Sequence, residues 1–160
     1  NLMQKEPLTA EGYDKITALL NDLKLVQKPK ILEAIETARQ LGDLKENAEY
    51  HAAKEDQANC NKKIAELEDV ISRAVVLDPS TLAHDKVSFG STVLVLDVDT
   101  DEEIRYKIVS SQDSNPDLGH ISFHSPLAKQ LLGKEEGDEV SAQLPGGKKD
   151  LEILEISYNG

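Results

Sequence analysis

Between residues 50 and 74 the side chains Tyr50, Ala53, Gln57, Cys60, Ile64, Leu67, Ile71 and Ala74 recur at alternating steps of three and four residues. That spacing puts all eight on one stripe of a helix, an a/d seam of about three and a half heptads. A stripe of this kind requires a facing helix, and the preceding residues supply one. Tyr13, Ile16, Leu20 and Leu23 keep the same spacing, and after Pro29 it resumes as Ile31, Ile35, Ala38 and Leu41. Thr9 suits the N-cap and Glu11 the first turn of this earlier helix. Pro29 predicts a kink or phase slip within it, and Gly42 closes it. A second helix that starts directly after Gly42 must run antiparallel to the first. The expectation is a helical hairpin with arms of ~33 residues, ~50 Å long at 1.5 Å per residue, that presents a turn at its far end. Cys60 falls on the seam and reads as packing.

The character of the chain changes after Asp78. Up to that point it holds two prolines and two glycines, and beyond it four and seven. Asp78-Pro79-Ser80-Thr81 is a stop-and-turn cluster. Past it the apolar period becomes two, which predicts strands over 92–97, 104–109, 120–123, 139–144 and 151–156. Residues 126–132 read as one short helix closed by Gly133, and Pro145-Gly146-Gly147 as a turn between the last two strands. The expected fold class is therefore α+β. Residues 3–78 form the coiled-coil hairpin, 79–84 the linker, and 85–158 a β-rich domain with one helix. Asn1 and Leu2, ahead of Met3, read as an expression remnant. Only six residues are aromatic, which supplies a single compact core poorly and favours an elongated shape.

Charge narrows the function. Eighteen basic against thirty acidic residues give a net charge of −12, so broad neutralisation of duplex phosphates is excluded as a binding mode. The excess is uneven. Residues 1–80 carry 11 basic and 15 acidic groups, residues 81–160 carry 7 and 15, so a local basic strip is possible in the first half and hard to build in the second. No apolar run reaches 18 residues and no basic start leads into an apolar stretch, so neither a membrane helix nor a secretory signal is expected. A soluble, cytoplasmic, monomeric protein is the expectation. One cysteine excludes an internal disulfide framework. His120 and His124 lie four apart in a strand pattern without a nearby cysteine, a poor zinc site. No Walker loop, dinucleotide fingerprint or Ser/His/Asp set is present.

The hairpin turn reads Gly42-Asp43-Leu44-Lys45-Glu46-Asn47. Asp43 and Glu46 are three apart, which at a helix start places both on one face. Two such carboxylates could form part of a Mg²⁺ shell, the rest coming from waters, a phosphate or another protein. The same pair also fits a capping box in which Asp43 accepts the Glu46 backbone N–H, and spacing alone favours this structural reading. Arg39, Lys45 and Lys54 lie near the turn and could contact phosphates, although a solvated helix face explains them as well.

Taken together the segments resemble a known family. Residues 42–55, GDLKENAEYHAAKE, are similar to the tip signature of the bacterial transcript-cleavage elongation factors, the Gre family, and Leu44 with His51-Ala52-Ala53 fits its A branch better than its B branch. Pro7-Leu8-Thr9 with Glu11-Gly12-Tyr13 resembles the family's opening. SPLAKQLLGKEEGDEV at 125–140 resembles its C-terminal signature, and Leu144-Pro145-Gly146-Gly147 with residues 151–156 its closing hairpin. The resemblance spans Met3 to Tyr158. It implies a coiled coil followed by a domain like that of FK506-binding proteins, and a protein that is not itself an enzyme. It implies binding to RNA polymerase, with the globular domain at the rim of the secondary channel and the coiled coil inside it. Asp43 and Glu46 would help hold the second Mg²⁺ of the polymerase active site and so stimulate cleavage of backtracked RNA. Arg39 and Lys54 would lie near the nascent RNA 3′ segment, and Ser125 and Pro126 in the polymerase-docking region. The rival functions are a channel-binding inhibitor, whose tip acids would be altered, a prolyl isomerase or chaperone, and a structural coiled-coil adaptor for which the tip acids would be dispensable.

Overall fold

The computed structural model describes residues 5–159; Asn1, Leu2 and Met3 lie outside them. The fold is α+β, and the chain divides into two compact units. One is Glu11–Ala74. The other joins the segment up to Ala10 to everything from Val75 onward. The boundary therefore differs from the expected hairpin of 3–78. A short strand β1 (Glu6–Leu8) pairs with β2 (Ala74–Val76), and the Leu77 N–H donates to the Leu8 carbonyl at 2.8 Å. Pro7 helps, because the residue before a proline is driven to extended backbone. This pairing puts the first residues with the second unit.

The helical unit runs through α1 (Ala10–Asp22), a π turn (Leu23–Gln27), α2 (Lys28–Arg39) and α3 (Ala48–Arg73). The phase slip expected near Pro29 is the π turn just before it. Proline has no N–H and its ring crowds the carbonyl four residues back. Here the chain widens by one residue, and the Lys28 N–H reaches the Leu23 carbonyl instead. The Cys60 thiol points at the same carbonyl, with Sγ 3.9 Å away. Ile16, Leu23, Ile35 and Ala38 are buried from the first helical run, and Ala53, Cys60, Ile64, Leu67 and Val70 from α3. Cys60 is thus a packing residue. Leu41, expected on the seam, is exposed because α2 stops at Arg39.

In the second unit a five-stranded sheet has the order β5-β4-β3-β7-β6. Its strands are β3 (Thr92–Asp97), β4 (Glu102–Val109), β5 (His120–Ser122), β6 (Glu139–Leu144) and β7 (Gly147–Ser157). All neighbours are antiparallel except β4 and β5. The helix α4 (Pro126–Leu131) packs with Val93, Val95, Ile108, Phe123, Leu151 and Ile153 in one apolar core, through Ala128 and Leu131. Alternation on β3 and β6 follows the pleat, with Val93 and Val95, then Val140 and Ala142, turned inward.

Candidate functional site: the acidic hairpin turn

The turn is built by closing two helices. After Arg39 the helix tightens: the Leu41 N–H bonds to the Ala38 carbonyl at 3.1 Å and the Gly42 N–H to the Arg39 carbonyl at 3.3 Å. Gly42 then takes φ +116°, a conformation that side chains with a Cβ avoid. The chain does not re-enter a helix at once. It crosses residues 43–46 as a loop, and α3 begins at Ala48 with Asn47 as its N-cap.

The capping box expected of Asp43 and Glu46 is therefore absent. Asp43 Oδ1 accepts the Lys45 N–H at 2.9 Å, two residues ahead, and so shapes the loop rather than starting the helix. The capping acceptor is Asn47 Oδ1, which takes the Tyr50 N–H at 3.0 Å. The other half of the same amide, Nδ2, donates to the Ala38 carbonyl at 2.6 Å. Asn47 is only 9% exposed. His51 Nε2 stands 3.0 Å from the Lys45 carbonyl, so the tautomer carrying its proton on Nε2 donates there. An Asn directly before Ala48-Glu49-Tyr50 is a cap signal in its own right, and the nearby Asp43 obscured it.

Asp43 and Glu46 are both exposed. They line one open recess with Leu41, Asn47, Ala48 and Glu49. Neither carboxylate enters an ion pair among the described residues. Both are hard oxygen donors, the type Mg²⁺ prefers. Among the described residues no group of three or more His, Cys, Asp or Glu side chains is arranged to hold a metal ion. The turn therefore fits part of a shell that something else must complete.

The basic candidates lie on both helices. The Arg39 guanidinium carbon is 6.0 Å from the centre of the Tyr50 ring, a cation–π contact that holds the exposed side chain at the turn. Lys54, in the second turn of α3, donates from Nζ to Gln57 Oε1 at 3.0 Å. Lys45 is exposed within the loop itself.

In the β-rich unit, Ser125 is the N-cap of α4; its hydroxyl accepts the Ala128 N–H at 3.2 Å. Pro126, exposed, occupies the first turn, where a missing N–H costs nothing. Gln130 clasps edge strand β6: Nε2 donates to the Gln143 carbonyl at 3.0 Å and Oε1 accepts the Gln143 N–H at 2.8 Å. The clasp covers backbone groups that an edge strand otherwise leaves open. A residue that sequence reasoning did not single out is Glu6, 1% exposed. Its Oε1 accepts the Ser111 N–H at 2.9 Å, and its Oε2 lies 2.9 Å from His124 Nε2. The pair is a close approach, and the geometry of a hydrogen bond is not met at His124 Nε2.

Comparison with known proteins agrees along the whole chain. Residues 6–76 match the family model "Transcription elongation factor, N-terminal", and residues 82–158 match "Transcription elongation factor, GreA/GreB, C-term". The chain is 57% identical over 156 residues to "Transcription elongation factor GreA" of Nautilia profundicola, covering 98% of this chain and 96% of that one. It is 58% identical over 156 residues to the protein of the same name from Aliarcobacter butzleri, covering 98% and 97%. Among solved structures, the GreA factor homolog 1 (Gfh1) protein of Thermus thermophilus aligns at 27% identity with a TM-score of 0.47, over 96% of this chain and 99% of that one. With both family models matched in order, the chain belongs to the GreA/GreB family of transcription elongation factors.

Proposed function

We propose that this protein binds RNA polymerase through its secondary channel and stimulates the polymerase's own Mg²⁺-dependent cleavage of nascent RNA in backtracked complexes. The observation that carries the reading is that Asp43 and Glu46 share an open recess at the hairpin turn, with no cation among the described residues paired to either. Carboxylates left to water are free to meet a cation brought by a partner. Bound Mg²⁺ would supply charge stabilisation on the scissile phosphate and an activated water.

The chain's own residues have distinct tasks in this reading. Asp43 and Glu46 contribute oxygens to a metal also held by the polymerase. Arg39, kept at the turn by Tyr50, and Lys54 lie toward the RNA 3′ segment and balance its phosphates. The surface around Ser125 and Pro126 docks at the channel rim. The acidic body limits indiscriminate binding of RNA elsewhere on the protein. Tip acids that are present and open support a cleavage factor over a channel-binding inhibitor.

The test uses purified polymerase stalled in a backtracked complex. With Mg²⁺, the wild-type chain is expected to release short 3′ RNA fragments, and Asp43→Asn/Glu46→Gln to release them at the rate of polymerase alone. Normal cleavage by the double variant, with helix content unchanged in both, rules the reading out.

A further inference from the structure

We infer that Asn47 is a positioning residue for the acidic turn: its amide locks the end of α2 to the start of α3 and thereby sets where Asp43 and Glu46 stand. This rests on the functional reading above.

The chemistry of the side chain carries the inference. Asn47 is the only polar residue buried in the helical unit among the described residues. A helix N-cap needs just an acceptor, which Ser, Thr and Asp provide as well as Asn. Asn47 does more. Its Oδ1 takes the Tyr50 N–H, and its Nδ2 reaches back nine residues to the Ala38 carbonyl. Ala38 lies in the last turn of α2, and its carbonyl, which also accepts the Leu41 N–H at 3.1 Å, has a second lone pair for the amide. One planar amide thus serves both helix ends at once, and among side chains of this length only Asn offers a donor and an acceptor together.

The consequence falls on the acids. The segment between the two clasped points holds few bonds of its own: Leu41 to Ala38, Gly42 to Arg39, Lys45 to Asp43, and His51 back to the Lys45 carbonyl. Glu46 directly precedes Asn47, and Asp43 follows Gly42 by one residue, so both carboxylates hang from a frame that the amide closes. Without the Nδ2 bond the cap on α3 survives, but the two helix ends keep only the Arg39–Tyr50 contact and apolar packing, and lose the hydrogen bond that ties them. A partial metal shell delivered from outside depends on this preorganisation, since any ordering that the loop lacks is charged against binding at the moment of reaction.

Asn47→Asp and Asn47→Ser separate the two halves of the amide: both keep the capping acceptor, while ionised Asp has no donor and the single Ser oxygen, one atom closer to the backbone, replaces the planar amide that spans to Ala38. Three measurements on the full chain are needed. Amide ¹⁵N relaxation on the free protein reads motion at residues 43–46. Cleavage in a backtracked complex at saturating factor gives the rate, and the factor concentration at half-maximal rate gives the affinity. Both variants are expected to retain α3 and to gain fast motion at 43–46. Their saturating rate should drop about tenfold, as when a group supporting metal ligands is lost, with the half-maximal concentration unchanged. Raising Mg²⁺ is expected to recover part of that rate. Equal saturating rates for wild type and both variants, or a loss confined to the half-maximal concentration, overturn the positioning role alone. No cleavage by the wild-type chain overturns the functional reading and the positioning role with it.

Discussion

The protein carries two kinds of carboxylate site, and they are opposites. Glu6 is buried; one of its oxygens accepts the Ser111 backbone N–H, and the other lies 2.9 Å from His124 Nε2. Asp43 and Glu46 are exposed; one oxygen of Asp43 shapes the loop, and neither residue enters an ion pair among the described residues. The difference separates structure from function. A buried carboxylate must be partnered inside the chain or it costs several kcal/mol, so Glu6 spends its charge on holding β1 to the β-rich unit. A carboxylate left to water costs the fold nothing and keeps its acceptor capacity for a partner. Location in sequence gives no hint of this division; the hydrogen bonds do.

Removing charge from each site should therefore act on different quantities. At the turn, Asp43→Asn/Glu46→Gln is expected to lower stimulated cleavage by about two to three orders of magnitude, the scale set by loss of preorganised charge stabilisation. Its melting temperature should match the wild type, since neither carboxylate enters an ion pair among the described residues and Asn at 43 keeps an acceptor for the Lys45 N–H. A large drop in melting temperature would show that the turn acids are structural after all. At the buried site the pattern reverses. Glu6→Leu leaves the Ser111 N–H without its acceptor and removes the carboxylate beside His124, and urea unfolding should report a loss of about 3 kcal/mol. The folded fraction should cleave at the wild-type saturating rate.

Smaller effects test intermediate cases. Ser125→Ala removes the cap of α4 and should cost about 1 kcal/mol in denaturant unfolding, with Ser125→Thr restoring most of it. Asp78 is exposed like the turn acids but partnered like Glu6. Its carboxylate accepts the Ser80 hydroxyl at 2.6 Å and the Ser80 N–H at 3.0 Å, and these bonds hold its pKa below the ordinary 3.8. Because the folded form prefers the ionised group, this contribution is present above the ordinary value and is lost as pH falls through the lowered one. Carboxyl ¹³C titration should find Asp78 below the ordinary aspartate range, and Ser80→Ala, which removes the largest cause, should bring it back up. An unchanged midpoint in the variant would exclude the hydroxyl as that cause.

Much of this was readable from residues. The period-two runs fixed β3 and β6 to the residue, because one inward face of each strand packs on the core. The three-and-four seam located the helical pair, and the turn between its arms carried the acids. The missing parts have physical reasons. β1 is three residues long, and its partner β2 begins at Ala74, far along the chain, so no local pattern announces either. The burial of Glu6 is invisible to periodicity, which treats a glutamate as a solvent-facing residue. The start of α3 was placed too early because Gly42-Asp43 with Glu46 satisfies a local rule, whereas the clasp that selects Asn47 runs to Ala38 on the other helix. Near Pro29 the pattern revealed a slip of phase but not that the chain absorbs it as a π turn.

The central claim is that the open turn acids share a divalent ion with the polymerase. The most direct measurement is the Mg²⁺ dependence of RNA cleavage in one backtracked complex, with polymerase alone, with the wild-type chain, and with Asp43→Asn/Glu46→Gln, each factor at saturation. Wild type is expected to lower the half-saturating Mg²⁺ concentration and the double variant to leave it at the value of polymerase alone. A wild-type chain that accelerates cleavage without moving that concentration, or a double variant that moves it equally, would contradict the account.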